Sequence, residues 1–181
     1  MKQAVFIERD GVLNHARTER QQQISPLLLE EFAINEEASV LLNKLKEAGL
    51  ILLATTNQPG LSRGYQLRSE LDRMHQKLRK ELPLDDILVC PHDESDGCPC
   101  RKPKPGLFQE AAYKYHLHLD HSYVISNKWQ DADAARLAGC TSLMLQSPWL
   151  RTVHRDFVLP DLAAITEKVL QLQRTQRPVA A

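Results

Sequence analysis

The chain has 181 residues, 43% hydrophobic and 25% charged, with 23 basic and 23 acidic side chains and a formal net charge of 0. That is the length of one domain with its own core, and neither the overall charge nor any basic amphipathic stretch points to nucleic acid or a membrane surface. No apolar run nears the roughly 18 residues of a membrane span, and no charged start leading into an apolar stretch marks a signal peptide, so a cytoplasmic location is the expectation.

Taken in chain order, short apolar runs alternate with segments of helical period. "AVFI" (4–7), "LILLA" (50–54), "DILVC" (86–90), "SYVIS" (122–126) and "TSLML" (141–145) read as buried strands. Between the first two, Ala38, Leu41, Leu42, Leu45 and Ala48 fall on one face of a helix over 35–49. Asn35 suits its start and Gly49 its end. Leu67, Leu71, Met74 and Leu78 mark a second helix. Further helices are predicted over about 106–116, 131–138 and 161–173, and the polar tail 174–181 is expected to fray. The segments 15–34 and 59–65, with Arg17, Arg63 and Tyr65, read as loops. Alternation of this kind predicts right-handed βαβ units: an α/β domain over 1–173 with a mainly parallel sheet and helices on both faces.

In such a sheet, ligands bind beyond the carboxyl ends of the strands. The chemistry-bearing residues gather at those ends. Glu8 and Asp10 close the first strand, Thr56 and Asn57 the second, Cys90 and His92 the third, and Asn127 the fourth. The loop "CPHDESDGCPC" places Cys90, His92, Cys98 and Cys100 as a C-x-H followed by C-x-C. Three thiols and an imidazole are what tetrahedral zinc prefers, and a closed set of four leaves no position for substrate, so the metal is expected to be structural. Cys140 stands apart and reads as a small buried hydrophobe. "TTNQPG" (55–60) offers a hydroxyl, an amide and a tight turn for an anion. "CRKPKPG" (100–106) sets Arg101 and Lys102 on a proline-stiffened backbone, a guanidinium fork beside a point charge.

These motifs in this order resemble the haloacid dehalogenase (HAD) superfamily of phosphotransferases. The likeness is greatest to its small zinc-containing, cap-less branch, which holds heptose 1,7-bisphosphate and histidinol-phosphate phosphatases. "TNQPGLSRG", "CPH…CPCRKPKPG" and "DADAARLAG" carry the resemblance, which spans about residues 4–146. It implies a single Rossmann-like domain without a large cap, a zinc-stabilised loop, Mg2+ as catalytic cofactor, a small phosphorylated metabolite as ligand and a monomeric chain. By the resemblance Asp10 matches the acid/base, Thr56 and Asn57 the phosphate binders, Lys102 the charge-balancing lysine and Arg101 the substrate-phosphate arginine. Cys90, His92, Cys98 and Cys100 match the zinc set.

Two positions depart from the family's pattern. Glu8 stands where the attacking aspartate belongs, and Ser126-Asn127 stands where Gly-Asp belongs, while Asp131 is retained. The extra methylene of Glu8 moves its oxygens by on the order of 1 Å, which can cost ~100-fold in a step governed by attack geometry. Asn127 removes a negative ligand from the expected magnesium set of Glu8, Asp10, Asn127 and Asp131. The expectation is therefore a pseudophosphatase or strongly impaired phosphatase that still binds phosphorylated metabolites. The alternative is an active Mg2+-dependent phosphoric monoester hydrolase using Glu8 and Asp10.

Overall fold

The first strand, β1 (Ala4–Glu8), is buried along its whole length. This explains its unbroken apolar run, because a strand covered on both faces has no polar side to show. The computed structural model describes residues 2–20 and 22–176. Seven further strands follow: β2 (Arg17–Glu19), β3 (Gln22–Ile24), β4 (Ile51–Asn57), β5 (Asp86–Cys90), β6 (Tyr123–Ser126), β7 (Thr141–Leu145) and β8 (Phe157–Leu159). The helices are α1 (Ala38–Glu47), α2 (Arg68–Glu81), α3 (Gly106–Tyr115), α4 (Trp129–Ala138) and α5 (Leu162–Gln176).

Six strands form one sheet in the order β5-β4-β1-β6-β7-β8, every neighbour parallel. Val5 and Ile7 of β1 point to a cluster with Leu41, Leu42 and Leu45 of α1, Met74 and Leu78 of α2, and Ile165 and Val169 of α5. Ala4 and Phe6 point the other way, into a cluster with Leu107, Phe108 and Ala111 of α3 and with Ala134 and Ala135 of α4. Phe6 meets Phe108 with ring centroids 4.6 Å apart. The predicted α/β domain, with helices on both faces of a parallel sheet, is the one observed.

The chain moves outward from β1 to β4 and β5, then returns to lay β6 on the other side of β1. Chain direction reverses beside β1, and a crevice opens there beyond the carboxyl ends of the strands. The tips of β1, β4, β5 and β6 deliver Glu8, Asn57, Cys90 and Asn127 to that one end.

Several details differ from the expectation. β4 runs on through Thr55, Thr56 and Asn57, because these residues keep pairing with β5 as far as Cys90. α4 begins at Trp129, two residues early. α1 begins at Ala38; Asn35 still serves its start, accepting the Glu37 N–H at 3.1 Å with its side chain and the Ala38 N–H at 3.1 Å with its carbonyl. Gly49 ends α1 at φ +85°, as expected. The hairpin β2–β3 falls where a loop was expected, and the edge strand β8 lies where no element was predicted. The predicted frayed tail is helical through Gln176, and 177–181 lie outside the described residues.

Leu53 sits at the middle of β4, wholly buried against the α3–α4 side. Leu53→Ala is expected to lower the unfolding free energy by about 3 kcal/mol, within the range for buried leucines. A denaturant titration with unchanged slope and a shifted midpoint checks this.

Candidate functional site

The centre of the site is a buried ion cluster. Lys102, 3% exposed, is wedged between two carboxylates. Its ammonium contacts Glu8 Oε2, lies 2.6 Å from Asp131 Oδ1, and donates to Thr55 Oγ1 at 3.3 Å. Burial works against its charge, but Asp131 and Glu8 outweigh that and raise its pKa. The second oxygen of Glu8 takes the Asp10 N–H at 3.0 Å and the Lys128 ammonium at 3.3 Å. Burial favours the neutral form of Glu8, yet Lys102 and then Lys128 prevail and lower its pKa. Asp131 is pushed up to about 6, first by burial and then by Glu8, against the pull of Lys102. Two carboxylates thus share one ammonium.

Asp10 is held differently. Its oxygens accept from Arg9 Nε at 3.0 Å and Nη2 at 2.8 Å, Asn14 Nδ2 at 3.1 Å, Ser25 Oγ at 2.8 Å, Gln58 Nε2 at 2.9 Å and, weakly, Thr56 Oγ1 at 3.4 Å. Burial would raise its pKa, but the Arg9 guanidinium, then Lys128, Ser25 and Asn14, hold it well below the usual carboxylate range. Arg9 is itself fully buried, with its guanidinium 5.4 Å from the Phe32 ring centre. It donates toward His75 Nε2 at 3.1 Å.

Gly11 lets the chain turn beneath this cluster. It lies at φ +90°, and a Cβ there would stand 2.2 Å from Gln23 Nε2 and 2.6 Å from Asn127 Nδ2. The hairpin β2–β3 therefore sits directly over the tip of β1. Two buried oxygens, Asn127 Oδ1 and Asp131 Oδ2, have no hydrogen-bond partner.

Asn57 spends its amide on the backbone of Lys102. Its Nδ2 donates to the Lys102 carbonyl at 3.1 Å, and its Oδ1 accepts the Lys102 N–H at 3.2 Å. In this arrangement Asn57 positions the lysine, and its side chain does not line the crevice. Arg101, next along, donates to the His92 carbonyl at 3.2 Å and lines the crevice.

Cys90, His92, Cys98 and Cys100 converge so that one ligand atom from each lies within 4.8 Å of the others. Their sulfurs are 3.2, 3.6 and 3.7 Å apart, and His92 Nδ1 is 3.3 Å from Cys100 Sγ and 3.7 Å from Cys90 Sγ. A tetrahedron with Zn–S distances of about 2.3 Å has edges of about 3.8 Å, close to these separations, so the donor set is one that could hold zinc. α3 abuts this loop closely: a Cβ on Gly106 would stand 2.3 Å from the Pro99 carbonyl oxygen.

Above the cluster lies a cleft of about 860 Å³. Ser25, Gln58 and Lys128, which contact Asp10 or Glu8, form part of its lining, with Arg63, Arg101 and Arg151 as further cations and Glu94 as the one carboxylate. Arg63 is held by Asp93 through contacts of 2.6 and 2.7 Å.

Comparison with known proteins bears on this arrangement directly. A HAD-hydrolase-like family matches residues 99–164. The heptose-1,7-bisphosphate 7-phosphatase of Pseudomonas aeruginosa is 30% identical over 179 residues, covering 92% of this chain and 97% of that protein. Its counterpart in Helicobacter pylori is 33% identical over 159 residues, covering 83% and 88%. The chain belongs to the HAD family, among relatives of the heptose-bisphosphate phosphatases. The crystal structure of heptose 1,7-bisphosphate phosphatase from B. bronchiseptica, complexed with magnesium and phosphate, superposes with a TM-score of 0.81 at 29% identity. That match covers 94% of this chain and 99% of that one.

Within this HAD fold, Glu8, Asp10, Thr56, Lys102, Asn127 and Asp131 come together as the sequence suggested, and the four zinc candidates form their own cluster beside them. Sequence reasoning missed Arg9, Asn14, Ser25, Gln58 and His75 as partners of Asp10, directly or through Arg9, and passed over Lys128 as a partner of Glu8. A signal existed for Arg9, a cation between two carboxylates, but none for Ser25, which reaches Asp10 only because the hairpin folds back. Among the described residues no helix is long and apolar enough to cross a membrane.

His75 gives this network a pH signature. Burial and the Arg9 guanidinium lower its pKa to about 3. An unfolded imidazole takes its proton near 6.5, so below that pH the unfolded state binds more protons and stability falls. Unfolding free energy is expected to drop by up to about 1.4 kcal/mol per pH unit from 6.5 towards 4.5 on account of this group. His75→Gln keeps an acceptor for Arg9 and should flatten that slope; chemical denaturation at a series of pH values measures it.

Proposed function

We propose that this chain is a HAD-family protein that binds a small phosphorylated sugar and in which phosphoryl transfer is strongly reduced. The observation that carries the reading is the state of the residue at the attacking position: both oxygens of Glu8 are engaged, by Lys102 on one side and by Lys128 and the Asp10 N–H on the other. An attacking carboxylate has to present a free lone pair in line with the phosphoryl group. Asp10 adds to this, because an acid/base group works best with a pKa near the working pH. Its ring of donors instead favours the permanent carboxylate.

The donor set also fits magnesium poorly. The metal is held through carboxylates, usually with several waters. Here Glu8 and Asp131 are already matched by Lys102 and Lys128, and Asn127 contributes a neutral amide. Asn127 Oδ1 and Asp131 Oδ2 are the partnerless oxygens left to offer.

Binding rests on the cleft. Arg63 is paired with Asp93 and Lys128 with Glu8, which leaves Arg101 and Arg151 against Glu94 as the positive excess of the cleft, a charge that draws anionic ligands and strengthens their contacts. The relatives are phosphatases of a phosphorylated heptose, which supports a phosphosugar as the ligand class. Arg101 is the fork that takes the phosphate. Cys90, His92, Cys98 and Cys100 hold a structural zinc that fixes the loop carrying Arg101 and Lys102.

Release of phosphate from a panel of sugar phosphates in Mg2+ tests the central claim. The double variant Glu8→Asp/Asn127→Asp is expected to exceed the unaltered chain by about 100-fold or more in kcat/KM. The unaltered chain should still bind phosphosugars in calorimetry, more weakly after Arg101→Ala. Turnover by the unaltered chain that vanishes in Glu8→Ala would establish an active hydrolase instead.

For the zinc centre, elemental analysis is expected to find one zinc per chain, and chelation should lower Tm. A zinc-free preparation of equal Tm would remove this assignment.

A further inference from the structure

The chain has two tryptophans, and both line the cleft. Trp129 follows Lys128 directly at the start of α4, so its position relative to the ammonium that meets Glu8 is set by one peptide unit. The Arg151 guanidinium lies 4.9 Å from the centre of the Trp129 ring. Arg151 makes no ion pair among the described residues. The loop that carries Trp149 and Arg151 is tied to the strand tips. The Ser147 hydroxyl donates to the Asn127 carbonyl at 2.5 Å, the Trp149 N–H donates to Ser147 Oγ at 3.2 Å, and the Trp129 N–H donates to the Trp149 carbonyl at 3.3 Å. An indole, a guanidinium over its ring and a second indole thus line one wall whose backbone is held in place by hydrogen bonds.

We propose that this wall is a ring-stacking subsite, and that the phosphorylated sugar bound in the cleft is one that carries a planar ring, a nucleoside monophosphate. The proposal rests on the reading of the cleft as a phosphosugar site. Flat aromatic rings stack on indole and guanidinium planes alike, gaining dispersion and cation–π attraction. Sugar hydroxyls find partners elsewhere in the cleft, at Gln22, Gln23, Gln58 and Gln130, whereas Trp129, Pro148 and Trp149 offer few and suit a flat apolar face. The cleft volume, about 860 Å³, lies within the range of small-molecule sites. With the phosphate among Lys128 and Arg101, the sugar would span the cleft and leave the base against the Trp129–Arg151 pair.

Because both tryptophans line this cleft, intrinsic fluorescence reads the site without a label. Adenosine 5′-monophosphate and ribose 5-phosphate are titrated by fluorescence and by calorimetry. The nucleotide is expected to quench the emission and to bind about tenfold more tightly than ribose 5-phosphate, the scale of one base–aromatic stack. Trp129→Leu should bring that ratio close to one, while Trp129→Phe, which keeps an aromatic face, should retain most of it. Arg151→Ala, a change at an exposed side chain, should lower the ratio as well. Equal affinities for the two ligands, or a ratio untouched by Trp129→Leu, overturn the proposal. If ribose 5-phosphate binds and the base adds nothing, the stacking subsite alone falls. If neither ligand binds, the phosphosugar reading falls with it.

Discussion

The ammonium of Lys102 is the point on which the rest of the structure depends. Three charged side chains, Glu8, Asp131 and Lys102, are drawn out of water together at the tips of β1 and β6. Removing an ion from water costs several kcal/mol, and a buried charge left without its partner costs about 3–5 kcal/mol. Such a cluster is tolerable only if every part is held in register. The elements around it do that holding. The amide of Asn57 grips the Lys102 backbone from both sides. The Cys90–Cys100 loop delivers Lys102 to the sheet. The parallel pairing of β1 with β4 and β6 fixes Glu8 beside Thr55 and one residue beyond the Ile7–Ile125 pair, next to the Asn127 turn.

The same cluster connects fold to function. In a site for phosphoryl transfer, carboxylates are kept in excess so that a metal dication and a phosphate dianion can enter together. Here the cluster is close to electrically balanced within itself: Glu8 and Asp131 against Lys102 and Lys128, and Asp10 against Arg9. The excess positive charge sits further out, on Arg101 and Arg151. On the function proposed above, phosphate affinity belongs to the cleft and phosphoryl-transfer chemistry is weakened at its floor.

The hairpin β2–β3 shapes that floor. Ser25 follows it and reaches Asp10 at 2.8 Å, and Gln23 packs above Gly11. Its sequence, Arg17-Thr-Glu and Gln22-Gln-Ile, has no apolar alternation, so nothing in the pattern announces strands. It forms because β1 ends in a tight turn that sends the chain back over the site. β8 escaped notice for a related reason: three residues pair with β7 after Asp156 has accepted both the N–H and the hydroxyl of Ser142. Both elements owe their existence to contacts with distant parts of the chain.

Legibility in the sequence followed the range of the forces involved. The alternation of apolar runs and helical periods sufficed for the α/β sheet, because a strand buried on both faces must be apolar throughout and a helix packed on one side must repeat near 3.6. The residues at the strand tips, Glu8, Asp10, Thr56, Asn57, Asn127 and the Cys90–Cys100 set, were readable because parallel topology brings all such tips to one end. What those side chains do to one another was decided only by the tertiary structure. That Asn57 serves Lys102, that Ser25 and Gln58 hold Asp10, and that Lys128 joins Lys102 on Glu8 depend on ångström-scale approach between residues 15 to 120 positions apart. Electrostatic energy in a dry interior varies steeply over such distances, and no local pattern in the chain encodes them.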